Sequence, residues 1–92
     1  MPYVWLPIAL AMLRGIEPYE VMQALGAKRR LPVPGMSGNV PIIAICARTN
    51  AGRALAVAVR KVGGLDQEIV GARDLNPDEL AQFEQWEAGQ DD

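Results

Sequence analysis

Four arginines near the ends of apolar segments are the residues of this chain best suited to bind an anion. Arg48 and Arg73 each end an apolar segment, Arg53 precedes another, and Arg60 lies near the end of that same segment. A guanidinium can hold a phosphate or a carboxylate through two parallel hydrogen bonds. The chain has no histidine, so any proton transfer would fall to a carboxylate, a tyrosine or a lysine. The pattern favours anion binding and leaves the catalytic groups open.

Disulfide, metal and cofactor chemistry are not expected. Cys46 is the only cysteine, so no disulfide can form within the chain, and without histidine a conventional zinc site lacks ligands. The carboxylates of residues 74–79 are explained by the start of a helix. No glycine-rich loop has the strand, helix and lysine that phosphate binding requires. Reducing, cytoplasmic surroundings fit this inventory best.

Residues 1–15 form an apolar stretch that invites comparison with a signal peptide or a membrane helix. The stretch has no basic residue before Arg14 and contains two prolines. It is also too short to cross roughly 30 Å of hydrocarbon. We therefore expect no membrane association and expect this surface to be buried. Because half of the chain is apolar, burial of part of its surface against a partner is a natural expectation.

Three helices and a short first strand are predicted. Residues 3–5 favour a strand, and residues 7–14 and 18–25 favour helices because each begins with proline and is followed by glycine. The last helix, residues 76–87, has the strongest signals. Asn76 is a favourable N-cap, and Glu79 stands three residues later in a capping-box position.

Three further strands follow the second helix. Residues 42–48, 53–61 and 67–73 are apolar segments joined by short connections that contain glycine, which predicts an antiparallel meander. The middle segment is apolar on both faces, with large side chains at positions 55, 57 and 59 and alanines between them. It should lie at the centre of the sheet and be covered twice, and one of the covers could be another molecule.

The predicted organisation is one α+β domain over residues 1–92. A strand and two helices occupy residues 1–26, and the proline- and glycine-rich residues 27–41 favour an ordered loop, with an irregular edge strand as the alternative. The meander spans residues 42–73, the last helix spans 76–87, and residues 88–92 form an acidic tail. We thus expect a small antiparallel sheet of three to four strands with two N-terminal helices and one C-terminal helix.

Charge is distributed unevenly along the chain. All nine basic residues and four acidic residues lie at or before Arg73, whereas the remaining seven acids and no base follow it. Such asymmetry can signal contact with nucleic acid or with a charged partner. A merely solvated acidic helix is the simpler interpretation.

The order of elements and several motifs resemble the BrnT-type toxins, which are ribosome-independent ribonucleases of bacterial type II toxin–antitoxin systems with a RelE-like fold. The segments that carry the resemblance are "YVWLP", "RGIEPYEVMQAL", "ARTNAGRALAVAV" and "IVGARDLNPDELAQFE". The resemblance implies a cytoplasmic toxin that cleaves RNA and is neutralised by a DNA-binding antitoxin of helix-turn-helix or ribbon-helix-helix type. A hetero-oligomer with that antitoxin, or a homodimer, is the expected assembly.

The resemblance places a functional arginine at Arg73. For catalysis we assign Arg73 and Arg48 to stabilising charge on phosphorus and Glu68 to proton transfer, with Tyr3, Tyr19 and Lys61 as the other candidates for proton transfer. Binding of RNA is assigned to a set of basic residues and one aromatic residue: Arg53, Arg60, Lys61, Arg29, Arg30 and Trp5.

Several alternatives remain open. Arg73 can instead form an ion pair with Asp74 or Glu79, and Trp5 can be a core residue. The chain has no histidine before Gly15, where the family usually has one. The alternative function is therefore a catalytically degenerate interaction module of the same fold, which binds a partner protein without enzymatic activity. A structural homodimer is a third hypothesis.

Overall fold

The computed structural model describes residues 3–63 and 66–90. Within them lie eight elements: β1 (Tyr3–Trp5), α1 (Pro7–Met12), α2 (Pro18–Leu25), β2 (Leu31–Ser37), β3 (Val40–Arg48), β4 (Ala54–Gly63), β5 (Asp66–Asp74) and α3 (Pro77–Ala88). Residues 64 and 65, in the connection before the last predicted strand, lie outside the described residues, as do residues 91 and 92 of the predicted acidic tail.

The five strands form one mixed sheet in the spatial order β1-β5-β4-β3-β2. β1 runs parallel to β5, and every other neighbouring pair is antiparallel. The α+β class is confirmed. The prediction of an antiparallel sheet of three to four strands is wrong, because β1 pairs in parallel with β5 and because β2 adds a strand at the opposite edge. A three-residue strand such as β1 carries too short a pattern to reveal its partner or its direction.

The edge strand β2 lies within residues 27–41, for which we predicted a loop with an irregular edge strand as the alternative. The register pairs Pro32 with Ile45 and Pro34 with Ile43. Proline has no N–H to donate, so these two residues must direct their nitrogen away from β3, towards the outer edge. The sheet therefore ends in an edge from which two backbone donors are missing.

Helices cover both faces of the sheet. α2 packs on the face that carries Leu55, Val57 and Val59, which we call the α2 face. α3 packs on the opposite face, which carries Cys46 and Ala56 and which we call the α3 face. β4 is thus central and covered on both faces, as its apolar pattern predicts, and the helix α3 lies on the side with small residues.

The cap of α3 is the one that its sequence predicts. The Glu79 N–H donates to Asn76 Oδ1 at 2.8 Å, and the Asn76 N–H donates to Glu79 Oε1 at 3.0 Å. Phe83 is the buried anchor of this helix. α1 is shorter than the predicted helix 7–14, because Leu13 already has an extended backbone. Its side chains Ile8, Leu10 and Met12 are 59%, 42% and 65% exposed, so the expectation that this apolar stretch is buried is wrong for α1. Among the described residues, no helix combines the length and apolarity needed to cross a membrane.

Candidate functional site

The two arginines to which catalysis was assigned hold the two ends of α3. On the α3 face, Arg73 Nη2 donates to Glu79 Oε2 at 2.7 Å in the first turn of the helix. Arg48 Nε donates to Glu87 Oε2 at 2.9 Å near the last turn, and its guanidinium also lies 5.5 Å from the centre of the Phe83 ring. Both arginines therefore act as ion-pair partners of the acidic helix.

These ion pairs keep their carboxylates charged far below neutral pH. The hydrogen bond from Arg73, followed by that from the Asn76 backbone, lowers the pKa of Glu79 to about 2. The hydrogen bond from Arg48 likewise lowers the pKa of Glu87. The Glu79 carboxylate raises the pKa of Arg73 in turn. An incoming phosphate would have to displace a charged carboxylate of the chain itself from either guanidinium.

Arg53 joins three parts of the chain on the other side of the sheet. Its Nε donates to Asp74 Oδ1 at 2.8 Å, and its Nη1 donates to the Gly15 carbonyl at 2.7 Å and to Glu20 Oε1 at 3.2 Å. The hydrogen bond from Arg53 lowers the pKa of Asp74. Arg53, to which RNA binding was assigned, thus links β5 to α2 and to the turn before it.

Glu68 lies too far along the sheet to work with Arg48 and Arg73. It faces Arg60 across β4 and β5, and Arg60 Nη2 lies 2.6 Å from Glu68 Oε1. Glu68 precedes Arg73 by five positions on β5, which corresponds to roughly 16 Å along an extended strand. The structure therefore brings Arg48 and Arg73 to one helix and leaves Glu68 paired with Arg60 elsewhere.

The other residues assigned to RNA binding are dispersed. Trp5 packs against the core of the α2 face, which agrees with the alternative that it is a core residue. Arg30 Nη1 donates to the Leu25 carbonyl at 2.8 Å, and the charge of Arg29 helps to lower the pKa of Glu87. Lys61 is exposed near the end of β4. Arg29 therefore lies near the Arg48–Glu87 pair, whereas Arg30 and Lys61 line cavities on the opposite face of the sheet.

A groove on the α2 face begins where α2 ends. We call the end of the sheet that contains Lys61 and Gln67 the distal end, and this cavity the distal groove. Its volume is about 520 Å³. The groove is lined by the end of α2 and by all five strands of the sheet, through Tyr3, Met22, Leu25, Gly26, Arg30, Pro32, Ile43, Ile45, Val59 and Gln67. A second cavity of about 220 Å³ shares Ile43, Val59 and Gln67 and extends the groove to Lys61.

Several apolar side chains in and beside the distal groove are exposed to solvent. The exposed fractions are 43% for Met22 and 37% for Ile43. Met36 is 62% exposed and lies on the same face of β2 as Pro34, which pairs with Ile43. Exposed apolar surface gathered on one face of a small protein is typical of a binding surface.

The charges at the distal groove have one sign. Among the described residues, its charged lining residues are Arg30, Arg60 and Lys61, and no carboxylate lines either cavity. Glu68 neutralises Arg60, whereas Arg30 hydrogen-bonds to a backbone carbonyl and no carboxylate among the described residues forms a salt bridge with Lys61. The groove therefore combines an apolar floor with two cations that the chain does not balance locally.

The lengths of the elements contain a signal for this groove. α2 has eight residues, which gives a helix of about 12 Å. β3 has nine residues and β4 has ten, which gives strands of about 30 Å. The α2 face stays apolar out to Ile43 and Val59, so part of it lies beyond the reach of α2.

The described residues contain no group of three or more histidine, cysteine, aspartate or glutamate side chains that could hold a metal ion. Comparison of the chain with protein-family models and with curated proteins finds no match. The resemblance to BrnT-type toxins thus stays a prediction that depends on the motifs alone.

Proposed function

We propose that this protein is a non-enzymatic interaction module that binds a partner protein in the distal groove. In a toxin–antitoxin pair, this partner would be the antitoxin. One observation carries the proposal. The distal end of the α2 face exposes the apolar side chains of Met22 and Ile43, and among the described residues Arg30 and Lys61 flank the groove with no carboxylate lining it. Apolar contact area with complementary charge at its rim is the usual composition of a protein-binding surface.

The arginine network supports binding over catalysis. Carboxylates of the chain itself form salt bridges with Arg48, Arg53, Arg60 and Arg73. Cleavage of RNA needs cations on phosphate together with groups that accept and donate a proton nearby. Glu68, the residue assigned to proton transfer, is paired at the distal end instead.

Titration calorimetry with the product of the neighbouring reading frame tests this proposal. Ile43→Glu places a charge in the distal groove, and Val33→Glu is its matched control, because Val33 is 42% exposed on the opposite face of the sheet. We expect Ile43→Glu to weaken binding by at least about a hundredfold, the loss of a central apolar contact. Val33→Glu should bind like the wild type. Equal binding by all three proteins contradicts the proposal.

A toxin with ribonuclease activity is the second candidate function, and one observation favours it. Arg48 and Arg73 lie on one face at the two ends of a single helix, and the Arg73 side chain is 57% exposed. A phosphate could reach this guanidinium if it displaced Glu79. In this second proposal the distal groove still binds the antitoxin.

Expression of the chain alone tests the second candidate. A ribonuclease should arrest growth and cleave cellular RNA, and Arg73→Ala should abolish both effects. Glu79→Gln breaks the same ion pair but keeps the guanidinium, so it should retain activity. Loss of activity in both variants would assign Arg73 a structural role. Absence of arrest and cleavage with folded wild-type protein would exclude the ribonuclease.

A further inference from the structure

We propose that the segment of the partner that occupies the distal groove is an amphipathic helix with acidic residues flanking its apolar stripe. This inference rests on the proposed partner-binding function and adds the conformation and charge of the bound segment. In the complex, the partner helix lies on the α2 face beyond the end of α2 and covers Ile43, Met22 and Met36.

The edges of the sheet do not favour binding of an extended strand. On β2, Pro32 and Pro34 remove two of the N–H groups that an added strand would need as donors. β1, at the other edge, has only three residues, which offers a short ladder. The partner is therefore expected to contact a face of the sheet and not its edge.

The exposed apolar side chains at the distal end of the α2 face, Met22, Ile43 and Met36, lie above a floor that is already buried at Val59. Sheets bury an apolar face by packing a helix against it, and α2 already does so over β3 and β4. The groove starts at Leu25 and Gly26, where α2 ends, and runs over Ile43 and Val59. Methionine side chains such as Met22 and Met36 can adjust to the shape of an incoming helix.

The charge of the groove selects an acidic segment. Arg30 and Lys61 flank the two cavities, and no carboxylate in residues 3–63 and 66–90 lines them. Acidic residues beside the apolar stripe of the partner helix would meet these cations, whereas basic residues would meet like charge. The body of the chain up to Arg73 carries nine basic and four acidic residues, which adds attraction at longer range.

Three synthetic peptides of equal length, about five helical turns each, test the inference by fluorescence anisotropy. One has a helical leucine stripe flanked by glutamates, the second has the same stripe flanked by lysines, and the third has glutamates alternating with valines as in a strand. We expect the acidic helical peptide to bind at least about tenfold more tightly than the other two at low salt.

Ile43→Glu and Met22→Gln should weaken this binding, and Val33→Glu should not. Lys61→Gln should weaken it more than Lys28→Gln, which removes an equal charge elsewhere.

The opposite results would overturn the inference. The inference is wrong if the strand peptide binds most tightly or if the lysine peptide binds as tightly as the acidic helical peptide. It is also wrong if Ile43→Glu and Val33→Glu weaken binding equally, or if no peptide binds to protein whose circular dichroism is native. A homodimer that Ile43→Glu converts to monomer would show that a second copy occupies the groove. If Ile43→Glu abolishes binding of the partner protein while the peptides do not discriminate, the proposed function stands and the acidic helix is excluded.

Discussion

At the scale of single residues, the arginines of this chain act as cross-links between elements. Arg48 reaches Glu87 across 39 positions of sequence, and Arg53 reaches Asp74 across 21. Each pair is partly exposed to solvent, so each contributes little by itself to the free energy of unfolding. Together they fix the orientation of α3 and of α2 relative to the sheet, and among the described residues they leave Arg30 and Lys61 at the distal groove without a carboxylate partner.

The ion pair of Glu79 predicts a specific dependence of stability on pH. The pKa of Glu79 falls from 4.5 to about 2 on folding. A carboxylate with a lowered pKa in the folded state stabilises the protein fully above its unfolded pKa, and this stabilisation is lost as the pH falls through the folded pKa. The contribution of Glu79 should therefore disappear between about pH 4.5 and about pH 2.

Urea unfolding across this pH range measures the effect. Glu79→Gln should be less stable than the wild type at neutral pH, and its free energy of unfolding should fall less steeply as the pH is lowered. Asp78→Asn is the matched control, because it removes a neighbouring carboxylate for which no arginine salt bridge is found among the described residues. Parallel curves for the wild type and Glu79→Gln would contradict the role assigned to this ion pair.

At the scale of elements, the docking of α3 depends on its cap as well as on its ion pairs. Asn76→Ala removes the acceptor of the Glu79 N–H and should lower the free energy of unfolding by about 1 kcal/mol. Cys46 lies buried beneath this helix, and burial raises the pKa of its thiol. Alkylation of Cys46 should therefore be slow in the wild type and faster in Asn76→Ala. Gln85→Ala, at an exposed position of the same helix, should change neither quantity. Unchanged alkylation and stability in Asn76→Ala would show that α3 does not depend on its cap.

The edge strand β2 predicts a second result at this scale. Replacing Pro32 and Pro34 by threonine restores two outward N–H groups on the edge strand. The double variant should self-associate as its concentration rises, which light scattering after gel filtration would detect. Val33→Thr is the control, since Val33 lies between the prolines and its N–H points inward. A double variant that stays as small as Val33→Thr would show that the prolines do not protect this edge.

At the scale of the whole molecule, the sequence predicted the local elements better than their assembly. The capping of α3, the central position of β4 and the covering of both its faces follow from patterns within a few residues. The parallel pairing of β1 and the strand at β2 do not, because β1 has three residues and β2 contains two prolines. The sequence raised the pair of Arg73 with Glu79, six positions away, as one option. It could not identify the partner of Arg48, which depends on how α3 crosses the sheet.

The uneven distribution of charge is explained in part by the fold. α3 returns to the basic sheet, where Glu79 pairs with Arg73 and Glu87 pairs with Arg48. The acidic helix thus neutralises cations on the α3 face and is not merely solvated. On the α2 face, no acidic element among the described residues lines the groove between Arg30 and Lys61. This difference in charge between the two faces predicts that the α2 face binds the acidic partner.

Methyl chemical shifts of isotope-labelled protein, titrated with the product of the neighbouring reading frame, test the central claim most directly. They report separately on the two faces of the sheet. Binding in the distal groove should shift the methyl signals of Met22, Met36 and Ile43 and leave those of Val33 and Ala44, on the α3 face, in place. Shifts confined to Val33 and Ala44, with Met22, Met36 and Ile43 unchanged, would contradict it.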